Sequence, residues 1–435
     1  MNPGAVLRAR AARALTDIVF EGVSLRVALA HGMAKTPDAR DRALLSASLF
    51  AATRWWLRLD ALLALLLDTP LPTAVRDIRA LLVLAFAQIA VLGLPDHAAV
   101  AATVDAARVL GKPRHANLVN ALLRRFLRER GTLEARLDSD PVTRHAHPRW
   151  LIDAIERDWP ESAEDIFAAN NREAPLTLRV NRRRCDPVAL LALLRDAGIA
   201  AASHPELPDG LVLAQSTDVT RLPGYENGYF SVQDGAAQRV VDLLDPTDGL
   251  RALDACAAPG GKTAHLLERA DVRLLALDRD RERVLLIEQN LARLGLAAMV
   301  RTADATTPAD WWDGRAFDRI LIDAPCSASG IVRRQPDVRL HRRAGDIATL
   351  AATQAHLLRM LWPLLASSGT LVYTTCSVLR EENETVVSSL LAEQTDAHAL
   401  PLPDNLGVVA GPGRQRLPGV GGMDGFYYAM VQKTG

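Results

Sequence analysis

The stretch RALDACAAPGGKTAHLLERADVRLLALD, residues 251–278, reads as an apolar strand, a glycine-containing turn, a helical segment and a second apolar strand. The unit does not stay single. RERVLLIEQNLARLG continues as a helix, AMVRTAD and DRILIDAP as strands, GDIATLAATQAHLLRMLWPLLA as a helix, and TLVYTTC as a fifth strand. Continuous apolar strands alternating with helices predict a parallel sheet covered on both faces, an α/β Rossmann-like arrangement. The stretch 401–422, rich in Gly and Pro, reads as a loop, and GFYYAMVQK as a last, antiparallel strand.

In such sheets ligands bind beyond the carboxyl ends of the strands. Asp254, Asp278, Asp304 and Asp323 end the first four strands, and Cys376 ends the fifth. Turn chemistry explains one such aspartate more easily than four along one edge. In the first loop, Gly260 and Gly261 let backbone approach a ligand closely, ahead of a helix N-terminus. Two cofactor classes compete for it. CAAPGGKT, residues 256–263, matches the phosphate-binding loop of nucleotide hydrolases except that Cys256 replaces its first glycine, and Pro259 stiffens its middle. Against that reading, Asp278 is placed to accept from ribose hydroxyls, and Asp304 from an adenine amino group. Those contacts suit a nucleoside without a triphosphate, so S-adenosylmethionine fits best. A nicotinamide site is weaker, because G-x-G-x-x-G is absent.

The chain has four cysteines, Cys185, Cys256, Cys326 and Cys376, with no C-x-x-C spacing. No metal site is expected, nor a disulfide framework in a chain with this much core. Cys326 and Cys376 follow the fourth and fifth strands, which are neighbours in a doubly wound sheet, so the two thiols should face each other. Thiolate attack at C6 of a pyrimidine makes C5 nucleophilic enough to take a methyl group, and a base must then remove the C5 proton. One thiol would attack and the other assist release. The residues alone do not say which.

DACAAPGGKT, LDRDRERV, DAPCSASG and YTTCSVLREENE together resemble the motifs of the Nol/Nop/Sun-type RNA 5-methylcytosine methyltransferases. The resemblance implies that Cys376 is the nucleophile and Cys326 aids product release. It also implies cofactor contacts at Cys256, Ala257, Ala258, Pro259, Gly260, Gly261, Lys262, Asp278, Asp304 and Asp323, with Arg283 helping. Two positions depart from the family pattern: Ala328, where a glycine is expected, and Arg380, where a proline is expected. FSVQDGAAQ, residues 230–238, also resembles the family.

Upstream, residues 5–130 read as helices joined by short Gly/Pro connections, with Leu7, Ala11, Ala14, Leu15, Ile18 and Val19 forming one apolar stripe. The last of these helices, HANLVNALLRRFLRER, is predicted to end at Gly131, and residues 132–150 read as a linker edge. This part is similar to NusB-like RNA-binding domains. PLTLRVN, DPVALLALLRDAGI (capped by Asp186) and DGLVLA indicate a small α+β unit. The predicted division is therefore a helical domain 1–140, a middle domain 141–235 and a methyltransferase domain 236–435. The three parts together resemble bacterial members of the same methyltransferase family, and that resemblance implies methylation of one cytidine of 16S rRNA before the small subunit assembles. A nucleotide hydrolase and a non-catalytic RNA-binding factor remain as rivals.

Net charge over the 435 residues is zero, but residues 1–148 carry about seven more basic than acidic side chains. That asymmetry hints at an anionic partner. Lys112, Arg114, Arg124 and Arg125, and Arg333 and Arg334 just after Cys326, are candidate phosphate contacts. The N-terminal stretch lacks the apolar core of a secretory signal, and ALLVLAFAQIAVLGL (80–94) is too short to span a bilayer. A cytoplasmic monomer without membrane association is expected.

Overall fold

The computed structural model describes residues 3–215 and 217–434; residues 1, 2 and 435, at the ends of the predicted first and last domains, lie outside it. The chain forms two compact units. One comprises the chain up to Arg172 together with Val332–Ala344, and the other comprises Glu173–Ile331 with Gly345–Gly435.

The first unit is helical: α1 Pro3–Phe20, α2 Leu25–Ala34, α3 Ala39–Arg54, α4 Trp56–Leu66, α5 Arg76–Ala90, α6 Asp96–Val109, α7 Ala116–Leu137, α8 Pro141–His145, α9 Arg149–Asp158 and α10 Ala163–Asn170. α5 is apolar nearly all round, and Ile78 and Ala80–Ile89 are buried, so it runs through the centre rather than along the surface. Its one buried amide, Gln88, is satisfied by donating to Ser48 Oγ (2.9 Å) and accepting from Arg8 Nε (2.8 Å). The chain breaks between α3 and α4 at Trp55, and Trp56 packs edge-on against Phe20 at 5.8 Å.

α7 does not stop at Gly131. Leu133 and Leu137 are buried and extend the stripe begun by Val119 and Phe126, and that burial outweighs the roughly 1 kcal/mol cost of a mid-helix glycine. What read as a linker edge is therefore largely helix. Within it His145 and His147 are buried beside the Phe167 ring. Burial holds the His147 imidazole well below its ordinary pKa.

In the second unit a four-stranded antiparallel sheet, β1 Leu176–Val180, β2 Ala201–Ser203, β3 Gly210–Leu213 and β4 Phe230–Val232, has the order β2-β3-β1-β4. α11, Pro187–Asp196, packs on it through Leu190 and Leu194, and Asp186 caps it by accepting from Val188 N at 2.8 Å. Then follow α12 Gly235–Leu244, β5 Arg251–Asp254, α13 Gly261–Arg269, β6 Arg273–Asp278, α14 Arg281–Leu294, β7 Met299–Thr302, β8 Phe317–Asp323, α15 Val338–His341, α16 Ala344–Leu361, β9 Leu365–Thr375, α17 Glu384–Glu393, β10 Ala397–Ala399, β11 Val408–Ala410, β12 Gly413–Arg416 and β13 Phe426–Lys433. Of these, α15 falls in the segment that belongs to the helical unit.

The larger sheet runs β11-β12-β13-β9-β8-β5-β6-β7, with β10 also on β13. β7, β6, β5, β8 and β9 are parallel to one another, and β13 is antiparallel to β9. Strand order reverses between β5 and β8, which opens a crevice at their carboxyl ends. The β11–β12 hairpin lies inside the segment that read as a loop; Gly411, with φ of +55°, turns it.

Candidate active site

The reversal of strand order brings the ends of β5 and β8 together, and β9 lies beside β8. Asp323 pairs in register with Thr374, so the chain leaves both strands at the same level. Cys326 and Cys376 lie just beyond, and their sulfurs are 3.4 Å apart, joined by an S–H···S hydrogen bond. That bond, reinforced by burial and by the nearby charge of Glu382, pushes the Cys326 thiol well above the ordinary range.

The loop after β5 packs against the same edge. Gly260 sits at φ +95°, and a Cβ there would come within 3.2 Å of the Ile287 backbone, so the position requires glycine. Asp278 Oδ2 accepts from Ala258 N (3.2 Å), and the Arg283 guanidinium donates to Ala258 O (2.8 Å) while lying 3.6 Å from Asp278. Lys262 is nearly buried; its ammonium donates to Asp323 Oδ2 at 2.6 Å and lies 5.2 Å from the centre of the Phe426 ring.

A cavity of about 160 Å³ opens among these groups, lined by Cys256–Pro259, Gly261, Lys262, Asp323 and Asp254, and closed by Val232, Gln233 and Ala237. A larger cavity of about 480 Å³ lies at the opposite ends of the strands, around Arg273 and Trp311, away from the thiols. Asp254 is the member of the site that the strand-end pattern flagged without a role. It is fully buried, its Oδ2 accepts from Thr263 Oγ1 at 2.7 Å, and its Oδ1 has no protein partner. Burial raises its pKa to about 7. A buried oxygen without a protein partner, on a residue that lines the cavity, suits a ligand that brings a cation or a hydrogen-bond donor.

Asp304 is placed differently. It is exposed, its Oδ1 accepts from Thr306 N (2.8 Å) and Thr306 Oγ1 (2.7 Å), and those bonds lower its pKa. It does not line the cavity. Among the candidate phosphate contacts, Arg333 is buried, and its carbonyl accepts from Arg54, so it presents no open guanidinium. Arg125 is engaged by Glu129 and Leu66 O, whereas Arg114 and Arg124 are exposed.

A family model described as 16S rRNA methyltransferase RsmB/F matches residues 241–432, the ferredoxin-like domain of RsmF/B-like methyltransferases matches 147–220, and the NusB family matches 6–128. The ribosomal RNA small subunit methyltransferase B of Pseudomonas putida is 46% identical over 435 residues, covering 100% of this chain and 99% of that protein.

The chain belongs to the RsmB/F family.

Its RsmB/F relative from Xanthomonas campestris pv. campestris, also named ribosomal RNA small subunit methyltransferase B, is 46% identical over 434 residues, 99% of this chain and 98% of its own. The solved structure of PH0851 shares the fold, with a TM-score of 0.81 at 22% identity over 98% of this chain and 99% of that one. The architecture is accordingly a NusB-like helical part, a ferredoxin-like middle part and a Rossmann-like methyltransferase. The RsmB/F chain is a methyltransferase acting on ribosomal RNA, with S-adenosylmethionine as its methyl donor. The nucleotide-hydrolase reading of the CAAPGGKT loop falls with that membership. Among the described residues no helix is long and apolar enough to cross a membrane.

Proposed function

We propose that the protein methylates C5 of a cytidine in 16S rRNA through a covalent adduct between Cys376 and C6. The observation that carries this reading is the thiol pair, with sulfurs 3.4 Å apart at the ends of adjacent strands beside Asp323. A methyltransferase acting on an oxygen or an exocyclic nitrogen has no need of a nucleophilic sulfur, whereas a pyrimidine C5 does. The Cys376 thiolate adds to C6, and electron density moves to C5. The bound cofactor supplies an electrophilic methyl group to that carbon. A base then takes the C5 proton, and that electron pair reforms the 5,6 double bond and expels the Cys376 thiolate, with Cys326 assisting this second half. The assignment of attack to Cys376 and release to Cys326 follows the roles the family resemblance implies; the geometry of the pair is symmetric between the two sulfurs.

For the cofactor, the residues that would hold it are Cys256–Lys262, Asp278, Arg283, Asp304 and Asp323, with Asp254 added for its open buried oxygen. Asp304 would first have to turn away from Thr306. We further propose action on 16S rRNA before subunit assembly, as a cytoplasmic monomer, with functional domains dividing near residues 140 and 235.

The test is to incubate unmodified 16S rRNA and S-adenosylmethionine with wild type, Cys326→Ala and Cys376→Ala, and to resolve the products on a denaturing gel. Cys326→Ala should accumulate a covalent RNA adduct and Cys376→Ala none. The reverse pattern would exchange the roles, and absence of adduct in every variant together with no methyl transfer by wild type would reject the substrate.

A further inference from the structure

One carboxylate joins the two loops that carry the thiols. Ser327 follows Cys326, and Ser377 follows Cys376. Glu382, at the end of the short turn Arg380–Glu382, is fully buried between them. Its Oε1 accepts from the Ser327 amide (2.7 Å) and Gln354 Nε2 (3.2 Å); its Oε2 accepts from Ser327 Oγ (2.5 Å) and Ser377 Oγ (2.6 Å). Gln354 Nε2 also donates to Pro325 O (2.9 Å), immediately before Cys326. Ser329 completes the ring, 2.9 Å from Ser377 Oγ and accepting from Val378 N at 3.0 Å. A buried carboxylate is costly unless its oxygens are satisfied, and here all four donors are neutral groups drawn from the two loops and α16.

The two loops differ in what else holds the residue after each cysteine. The Cys376 loop has other anchors: Ser377 O accepts from Asn383 Nδ2 (3.0 Å) and Gln415 Nε2 (3.1 Å), and the Ser377 amide donates to Thr375 Oγ1 (3.2 Å). In the Cys326 loop Ser327 gives its amide and its hydroxyl to Glu382, Gly330 N donates to Cys376 O (2.8 Å) further on, and between them Ala328 sits at φ +62°. A non-glycine residue there is strained by about 1–2 kcal/mol and relaxes once its restraint is removed.

We infer that Glu382 is a positioning residue that holds Cys326 over Cys376 for product release. This rests on the cysteine roles proposed above. Removing the carboxylate should let the Cys326 loop drift while Cys376 stays in place, so the adduct forms and then stalls.

The experiment uses the full chain, unmodified 16S rRNA and S-adenosylmethionine, and compares Glu382→Ala, Glu382→Gln and Ser327→Ala with wild type and Cys326→Ala. Glu382→Ala should accumulate covalent RNA adduct as Cys326→Ala does. Its steady-state turnover should fall about 100-fold while the first methyl transfer slows less than about 5-fold. Glu382→Gln keeps an acceptor for the Ser327 amide and should accumulate less. A residue that merely stabilised the fold would lower the melting temperature without trapping adduct. Adduct with Cys326→Ala but none with folded Glu382→Ala overturns the inference and leaves the function standing. If Glu382→Ala does not fold, Ser327→Ala decides: partial accumulation supports the inference, and wild-type release overturns it. No adduct with Cys326→Ala removes the cysteine roles and this inference together.

Discussion

Asp254 holds one oxygen bound and one open in a fully buried site, and burial raises its pKa to about 7 against an ordinary 3.8. Below the unfolded value both states are protonated. As pH rises the unfolded state ionises first, so the folded state binds the extra proton and stability falls through pH 7. Relative to Asp254→Asn, wild type should lose about 2–3 kcal/mol between pH 5 and pH 8, read from urea midpoints at each pH. At this scale the sequence was partly legible. Terminal aspartates stand out because they interrupt apolar strands, and Asp323 and Asp278 do so with partners in the site. The Asp304 letter looks the same but closes a local turn with Thr306, a difference that only side-chain geometry reveals. Glu382 was a letter in a charged run, REENE, and nothing in its spacing signals that it is buried while Glu381 beside it is exposed.

The loops after β8 and β9 touch backbone to backbone. Gly330 N donates to Cys376 O (2.8 Å), and Gly425 N donates to Gly330 O (2.9 Å). A Cβ on Gly330 would run into the carbonyl oxygens of Gly425 and Cys376, both parts of the main chain that cannot rotate aside. Gly330→Ala should therefore cost about 1–3 kcal/mol in stability and about 10-fold or more in methyl transfer, with cofactor affinity changed less than about 2-fold, as measured by denaturant melts, turnover and calorimetric titration. The two departures from the family pattern also acquire physical meaning at this scale. Glycine is expected at 328 because the backbone is left-handed there, and Ala328 adopts that conformation at some cost. Arg380 opens a helical turn, where a proline would be well suited; here its guanidinium pairs with Glu384 at 2.9 Å instead. The alternation of strands and helices, the Asp186 cap and the pairing of the fourth with the fifth strand followed from hydrophobic runs and punctuation. The 408–416 hairpin and the passage of α7 through Gly131 did not, because tertiary burial overrode the local glycine signals.

In the helical unit, the segment Val332–Ala344 is tied to the N-terminal helices by a set of hydrogen bonds. Arg339 is fully buried there and donates to Ala146 O (2.7 Å), Asn171 Oδ1 (2.8 Å), Asn170 O (3.1 Å) and Arg54 O (3.3 Å). Leu25 N donates to Asp337 Oδ2 (3.0 Å) and the His341 ring meets Ile18 O (2.7 Å). Burial lowers the Arg339 pKa to about 9, a sign of how completely it is removed from water. Arg339→Met would leave four oxygens in that pocket without their donor, a loss of about 3 kcal/mol or more. The calorimetric transition of the helical unit should fall by about 6–12 °C while affinity for S-adenosylmethionine, whose candidate contacts all lie in the other unit, stays unchanged. The linear sequence could not show this membership. Arg333 and Arg334 read as phosphate contacts because they follow Cys326, yet the chain there has already entered the helical unit.

That entry sets an order of events during synthesis. The N-terminal helices leave the ribosome first, but the residue that ties Arg54, Ala146 and Asn170 together arrives only after the first part of the α/β unit, Glu173–Ile331, has been translated. Until then the nascent helices wait with a polar gap where Arg339 will sit, and the earliest part of the chain to emerge cannot be finished until a large part of the other unit has followed it out.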